Sequence, residues 1–214
     1  MATIKVVKLL KRAQKIAVDE TEIGWDLDEW LDCFNEAVIA VANARIDTTA
    51  ATVPYSTIAG SKQQIPADGI RFITLTRNIA TGMPVRRVER RQLDDRNIPW
   101  HNKSGDKVNH FVHDPLDPKT FYIYPQPEAG HQVELVYQKS PSFIEIADFD
   151  TDSQVLPMDD IYFNALLYFT LARGYMKDDE STGNLNLSAQ YESRGFNELG
   201  IKSKADSGVI NESK

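Results

Sequence analysis

Cysteine is almost missing from this chain, and so is any long apolar run. Cys33 is the single cysteine among 214 residues, which excludes a disulfide within the chain and is typical of a reducing compartment. No uninterrupted apolar stretch approaches the roughly 18 residues of a membrane-spanning helix. Five basic residues among the first 18 interrupt any apolar core of a secretory signal. We therefore expect a protein that does not cross a membrane.

The motifs of common catalytic and cofactor sites are missing as well. The sequence has no G-x-S-x-G, no H-E-x-x-H, no C-x-x-C and no glycine-rich phosphate loop. His110 and His113 lie three residues apart in a predicted strand, so their side chains should point to opposite faces. Cys33 falls within an apolar helix and is expected to be inert. We predict no catalytic residues, no metal site and no cofactor.

Basic residues are outnumbered in the whole chain but concentrated in one stretch. The net charge is −7, which does not favour a broad nucleic-acid-binding face. Between Arg71 and Lys107, nine basic residues stand against four acidic ones, a net of +5, and this leaves −12 for the remainder. A short helix is predicted over residues 86–95. Its arginines are Arg86, Arg87, Arg90 and Arg91.

Three interpretations of these arginines stay open from the sequence. They can form a solvated helix face that pairs with neighbouring acids. They can instead contact an acidic protein partner. Direct contact with nucleic acid is the least favoured, because no aromatic residues interleave with the arginines to stack on bases.

Helical periodicity is confined to the two ends of the chain. Apolar spacing predicts helices over residues 4–18, 26–45, 159–176 and 184–199. In the second helix, Asp26 and Glu29 can form a capping box, and Trp25 and Trp30 occupy the hydrophobic staple positions. The third helix is apolar nearly all round, so we expect it to be enclosed by other elements or by another subunit.

The first helix has a basic surface, and the last is followed by a polar tail. The basic residues favour a solvated face, with a membrane-surface helix as the alternative; they are Lys5, Lys8, Lys11, Arg12 and Lys15. The last helix should bury Leu187, Tyr191 and Phe196. Beyond Gly200 the chain is small, polar and charged, and we expect it to order only on a partner.

Short strands dominate the middle of the chain. They are predicted over residues 71–76, 108–113, 121–124 and 132–138, which are rich in aromatic and β-branched residues and bounded by Pro, Asp and Gly. The last three follow one another across turns and predict an antiparallel meander. Alternation points Phe121 and Ile123 to the core. It points Tyr122 and Tyr124 to a second layer or to a subunit contact.

The predicted fold class is α+β, a helical bundle from the N- and C-terminal helices with an inserted antiparallel β-rich domain. The bundle is assigned residues 1–50 and 155–200, and the inserted domain residues 51–154. Residues 201–214 form a flexible C-terminal tail.

Several segments of the chain, taken in order, resemble a known family. They are HDPLDPKTFYIYP at residues 113–125, VELVY at 133–137 followed by Ser140-Pro141, and Leu156-Pro157 through ALL at 165–167 to ARGYMKD at 172–178. The same family is also resembled by the N-terminal helix pair with Trp25 and by the turn at residues 64–69. The likeness covers roughly residues 4–200. The chain resembles the head-to-tail adaptors of short-tailed phages. That family is similar to tail tubular protein A of T7-like phages.

The resemblance implies a structural virion protein rather than an enzyme, located at the head-tail junction and made in the host bacterial cytoplasm. It implies a homo-oligomeric, dodecameric ring between the portal protein and the tail nozzle protein. DNA would pass through the central channel without specific binding, no membrane is involved, and docking of tail fibres stays open. The candidate partner-binding residues are Arg86, Arg87, Arg90, Arg91, Tyr122, Tyr124, Lys202 and Lys204.

The strand region also suggests an alternative from a different class. Its tyrosines and aspartates are typical of a carbohydrate-binding or carbohydrate-acting β module of a phage tail. Two acids facing one cleft would be needed for hydrolysis of a glycosidic bond.

Overall fold

Both ends of the chain fold into helices and the middle folds into strands in a computed structural model, which describes residues 2–95, 99–177 and 182–200. The predicted α+β class is therefore confirmed. The chain divides into two units. The helical unit holds the described residues up to Thr48 and from Pro141 onward, and the strand unit is Thr49–Ser140.

The elements are numbered in chain order. The helices are α1 (Val6–Ala17), α2 (Leu27–Ala44), α3 (Arg90–Asp94), α4 (Phe163–Met176) and α5 (Thr182–Glu198). The strands are β1 (Ala50–Ser56), β2 (Lys62–Gln64), β3 (Gly69–Asn78), β4 (Arg86–Arg87), β5 (His110–Val112), β6 (Thr120–Tyr124) and β7 (Gln132–Lys139). Short 3₁₀ turns occur at Ile46–Thr49, Trp100–Asn102 and Asp160–Tyr162.

Helix α4 lies at the centre of the helical unit, where α1, α2 and α5 surround it. Leu166, Phe169 and Leu171 are buried in its core. The all-round apolar sequence predicted this enclosure, and the chain's own helices provide it. A neighbouring subunit is not needed to cover α4, although Ile161 just before it is 82% exposed and free to meet one.

The start of α2 agrees with its sequence signals. Asp26 accepts a hydrogen bond from the Glu29 N–H (2.8 Å), and Glu29 accepts one from the Asp26 N–H (3.2 Å). The rings of Trp25 and Trp30 lie 5.5 Å apart between centroids. The predicted capping box and hydrophobic staple are both confirmed, and they fix where the helix begins.

Helix α5 packs through a different stripe from the one expected. Leu187 is 37% exposed, so the prediction that it is buried was wrong. The face toward α4 instead carries Ser188, whose hydroxyl donates to the Ala172 carbonyl (2.8 Å), and Gly195. Tyr191 is half-buried and stacks on Tyr175 at 5.7 Å. Small residues at helical spacing allow close approach, which apolarity alone does not predict.

The strand unit contains two sheets. One has the order β1-β7-β3 and is antiparallel; the other has the order β2-β6-β5-β4, in which the two-residue β4 runs parallel to β5. Their shared core includes the stacked rings of Phe72 and Phe121, 4.6 Å apart, together with Ile123 and Leu135.

The predicted meander was wrong, because β6 and β7 belong to different sheets. Strand β6 is already paired on both edges, by β2 and β5, and β7 lies between β1 and β3. After β6 the chain continues alongside an earlier loop, where the Gln126 N–H donates to the Lys103 carbonyl (3.0 Å). Strands β1 and β2 were not predicted, since β1 contains Pro54 and β2 is polar.

The helix predicted over residues 86–95 was wrong in its first half. The Arg86 N–H donates to the Asn109 carbonyl (3.0 Å) and the Val88 N–H to the Phe111 carbonyl (3.0 Å). Residues 86 and 87 are therefore extended as β4, Glu89 is still extended at φ −72° and ψ 139°, and α3 begins at Arg90.

Residues 141–154 were expected with the strands but contact the helices. The Asn35 side chain donates to the Ile144 carbonyl (3.0 Å) and accepts from the Ile144 N–H (2.9 Å). The Val6 N–H donates to the Gln154 carbonyl (2.9 Å). This segment therefore fastens α1 and α2 within the helical unit.

Candidate interaction surfaces

The arginine segment forms an exposed edge of the strand unit. Arg86 and Arg87 lie on β4, and Arg90 and Arg91 lie on α3. Three of these four arginines have an acidic neighbour: Arg87–Glu89 at 3.7 Å, Arg90–Asp94 at 3.3 Å and Arg91–Asp95 at 3.5 Å. All these pairs are exposed, so each contributes little to stability. The pairing agrees with a solvated face, and contact with a partner stays a prediction.

The two predicted tyrosines lie beneath that edge. Tyr122 meets the Trp100 ring edge-on at 6.1 Å, and Tyr124 stacks on His110 at 6.3 Å. They cover a small core of Leu93, Trp100 and Val112 that seats α3 on the sheet. Both tyrosines are half-buried in this second layer, and their contact with a partner stays a prediction.

The candidate site residues therefore divide into three groups. The arginines lie on β4 and α3 and the tyrosines on β6 of the same sheet, the arginines exposed and the tyrosines half-buried. Because the tyrosine rings pack within the chain, they give little support to an open carbohydrate platform. Lys202 and Lys204, with the tail expected after Gly200, lie outside the described residues.

A basic groove lies along α1. We give this name to the open groove of about 630 Å³ whose apolar floor is Val7, Phe149 and Phe163. All five basic residues predicted on the first helix line it, with Asp150 and Asp152 at its rim. The sequence identified the basic face of α1 but not the groove, because Phe149 and Phe163 come from distant segments.

An acidic groove lies along α2. This open groove of about 540 Å³ is lined by Asp28, Asp32, Glu36 and Glu145, with no basic residue among its lining. Phe143 stands at this groove with 66% of its surface exposed. The spacing of Asp28, Asp32 and Glu36 by four residues was the signal in the sequence that could have indicated this face.

A polar cluster joins the ends of α2 and α5. Arg45 donates to both carboxylate oxygens of Asp47 at 2.8 Å, and Tyr162 donates to the same carboxylate at 3.0 Å. Arg45 also donates to the Leu199 carbonyl (3.2 Å). The hydrogen bonds from Arg45, with a smaller contribution from Tyr162, lower the pKa of Asp47 to about 2.

The described residues offer little for catalysis. Burial, with nearby carboxylates, raises the pKa of the Cys33 thiol to about 11, which disfavours the reactive thiolate. Among the residues described, no cluster of three or more His, Cys, Asp or Glu could hold a metal ion. Within the same ranges, no helix is long and apolar enough to span a bilayer.

Comparison with known families matches residues 5–211 to one family, described as SU10 adaptor protein. The chain belongs to the SU10 adaptor protein family. The match covers both units and both ends of the described chain, so it concerns the whole molecule rather than one domain. No curated protein matches the chain. Membership of this family supports the expectation that the chain is a phage adaptor with a structural role.

Proposed function

We propose that this adaptor is a head-to-tail connector that assembles as a dodecameric ring between the portal and the tail nozzle protein. The observation that carries the proposal is the family match over residues 5–211. The ring surrounds a channel through which DNA passes without specific binding. The likeness to tail tubular protein A of T7-like phages, read from the sequence, belongs to the same proposal.

Charge supports passage of DNA without capture. The chain carries a net charge of −7. Nucleic-acid affinity depends on phosphate contacts from Lys and Arg, so an acidic protein binds DNA weakly at physiological salt. In the arginine segment, three of the four guanidinium groups already have acidic neighbours.

Partner contacts are assigned to two places in this proposal. The exposed arginines of β4 and α3, together with the half-buried Tyr122 and Tyr124, contact an acidic surface of the portal or nozzle. Lys202 and Lys204 contact the portal through the C-terminal tail. The mature protein is then a virion component, made in the host cytoplasm and added during assembly.

The test is to locate the chain in the assembled particle. A short epitope inserted after Leu116, which is 92% exposed in the turn between β5 and β6, labels the protein at its surface. Electron microscopy of antibody-decorated particles should show the label at the head-tail junction, with untagged particles as the control. Purified virions that lack the chain by mass spectrometry would overturn the proposal.

A further inference from the structure

Two grooves of opposite charge lie on the same helical unit. The basic groove carries five Lys or Arg against two Asp, and the acidic groove carries four carboxylates and no base. The two sets of lining residues do not overlap. One molecule therefore presents two distinct surfaces whose net charges are opposite.

The charges in these grooves are only partly used within the chain. In the basic groove Lys11 pairs with Asp150 at 3.4 Å, Lys15 pairs with Glu20 at 4.0 Å, and Lys5 donates to the Asp152 carbonyl at 3.3 Å. In the acidic groove Glu36 pairs with Arg173 at 3.5 Å, and all of these contacts are exposed. Among the described residues, Lys8 and Arg12 have no ion pair, and neither do Asp32 and Glu145. Folding of the unit accordingly does not explain these charges, since exposed pairs add little and unpaired charges add nothing.

The spacing of the charges matches between the two grooves. Lys8 and Arg12 lie four residues apart on α1, and Asp28, Asp32 and Glu36 recur every four residues on α2. Four residues of an α-helix rise about 6 Å. Two such helices laid side by side therefore bring opposite charges together at successive turns.

Each groove also has a complementary apolar part. Phe143 projects from the acidic groove, 66% exposed. The basic groove has Val7, Phe149 and Phe163 on its floor and room for an aromatic side chain. An aromatic anchor that enters a pocket ringed by polar contacts is the usual arrangement of an interface hot spot.

We infer that the basic groove of one copy receives the acidic groove of the next copy, with Phe143 inserted between Phe149 and Phe163. The inference rests on the proposed ring and names the contact that builds it. A ring requires two different, complementary faces on every subunit, and the two grooves supply them in equal number. Phe143 provides affinity, and the charges provide register and exclude the wrong pairing of two like faces.

Charge reversal in the phage tests this contact. Variants of the full chain complement a phage that lacks the gene, and the chain in purified particles is measured relative to the capsid protein. Lys8→Glu with Arg12→Glu leaves three bases and four acids in the basic groove, so both grooves are then acidic. Asp28→Lys with Asp32→Lys and Glu145→Lys leaves three bases and one acid in the acidic groove, so both grooves are then basic. Each variant alone should lower incorporation about tenfold or more, because every interface then joins like charges.

Co-expression of the two variants gives the deciding result. Alternating copies restore an opposite-charge contact at every interface, so incorporation should return toward the wild-type level. All five substitutions in one chain should restore it too. Normal incorporation of either charge-reversed variant when it is expressed alone overturns the inference. So does loss without rescue, because that result assigns the grooves to a different partner.

Controls separate this inference from misfolding and from the proposed function. Lys62→Glu with Lys119→Glu changes the same charge at exposed positions of the strand unit and should incorporate normally. Melting curves check that the variants fold. If the variant with Lys8→Glu and Arg12→Glu unfolds at a lower temperature than the wild type, the neutral variant Lys8→Gln with Arg12→Gln replaces it. That neutral variant should also reduce incorporation. Absence of the wild-type chain from particles defeats the proposed function itself, whereas its presence with unaffected variants defeats only this contact.

The aromatic anchor has its own test. Phe143→Ala should lower incorporation about tenfold or more, the effect expected for loss of a hot-spot side chain. Leu116→Ala is the matched control, since Leu116 is 92% exposed and lies in the strand unit. Equal incorporation of Phe143→Ala and the wild type would remove Phe143 from the interface.

Discussion

Two glycines of the helical unit lie directly against aromatic rings. A Cβ added at Gly174 would lie 2.6 Å from Trp30, and one added at Gly195 would lie 2.9 Å from Phe169. The contacts let α2 and α5 approach α4 closely. The sequence shows the glycines but not their neighbours, because the rings that press on them are far away along the chain.

Gly174→Ala should destabilise the protein by about 1–3 kcal/mol, because the added methyl must displace a fully buried ring. Urea unfolding measures the change. The matched test is a double-mutant cycle with Trp30→Phe, whose smaller ring leaves room for the methyl. The double variant should lose less than the sum of the single variants. An additive result would show that the methyl and the ring do not meet.

Asp47 is the residue whose charge state most affects stability in the polar cluster. Its pKa is lowered to about 2 by Arg45 and Tyr162. A carboxyl group with a lowered folded pKa stabilises the protein above its unfolded pKa and loses that contribution as the pH falls. The side chain is 57% exposed, so solvent screening reduces the contribution to about 1 kcal/mol or less.

Asp47→Asn should therefore be less stable than the wild type at pH 6. The difference should shrink as the pH falls from about 4, the unfolded value, toward the folded value of about 2. Chemical unfolding at a series of pH values measures it, with Asp32→Asn as the control at an exposed acid. A difference that stays constant over this range would contradict the assigned pKa.

At the scale of elements, local signals located helices better than strands. Asp26, Glu29 and the two tryptophans gave the start of α2 correctly, because capping depends on residues within one helical turn. The partners of β7 could not be predicted this way. Its neighbours β1 and β3 are 55 or more residues away in sequence, as in the pairs Val53–Leu135 and Asn78–Val133. Strand pairing across such distances depends on packing that no local pattern contains.

Asp26→Ala should lower the free energy of unfolding by about 1 kcal/mol, because the Glu29 N–H loses its acceptor at the start of α2. Asp26→Asn, which keeps an acceptor oxygen, should cost only a fraction of that. Thermal unfolding of both variants and the wild type makes the comparison. Equal losses for Ala and Asn would show that charge near the helix end matters more than the cap itself.

At the scale of the whole molecule, the sequence predicted the order of helices, strands and helices. It extended the strand region to residue 154, whereas the strand unit ends at Ser140. The segment from residue 141 to residue 154 has few helical or strand signals, and contacts with Asn35 and Val6 assign it to the helices. The candidate surfaces were predictable as charged segments. Their grooves were not, since each combines residues from separate parts of the chain.

The strand unit has a core of its own, so residues 49–140 expressed alone should keep their sheets. Amide exchange at β7 should be as slow in the fragment as in the full chain, relative to each protein's global stability. Leu135→Asp in the fragment is the control that should abolish protection, because Leu135 is fully buried. Rapid exchange throughout the unmodified fragment would show that the unit depends on the helices.

The strand unit begins with β1 and ends with β7, and these two strands are antiparallel partners from Ala50–Gln138 to Ser56–Gln132. Its first and last residues therefore emerge side by side from one end of a ladder. A mechanical load that pulled these two connections apart would break the ladder one pair at a time, as a zipper opens, instead of shearing all pairs together. In the connector proposed above, tension along the chain is therefore better borne by the helical unit than by the two connections to the strand unit.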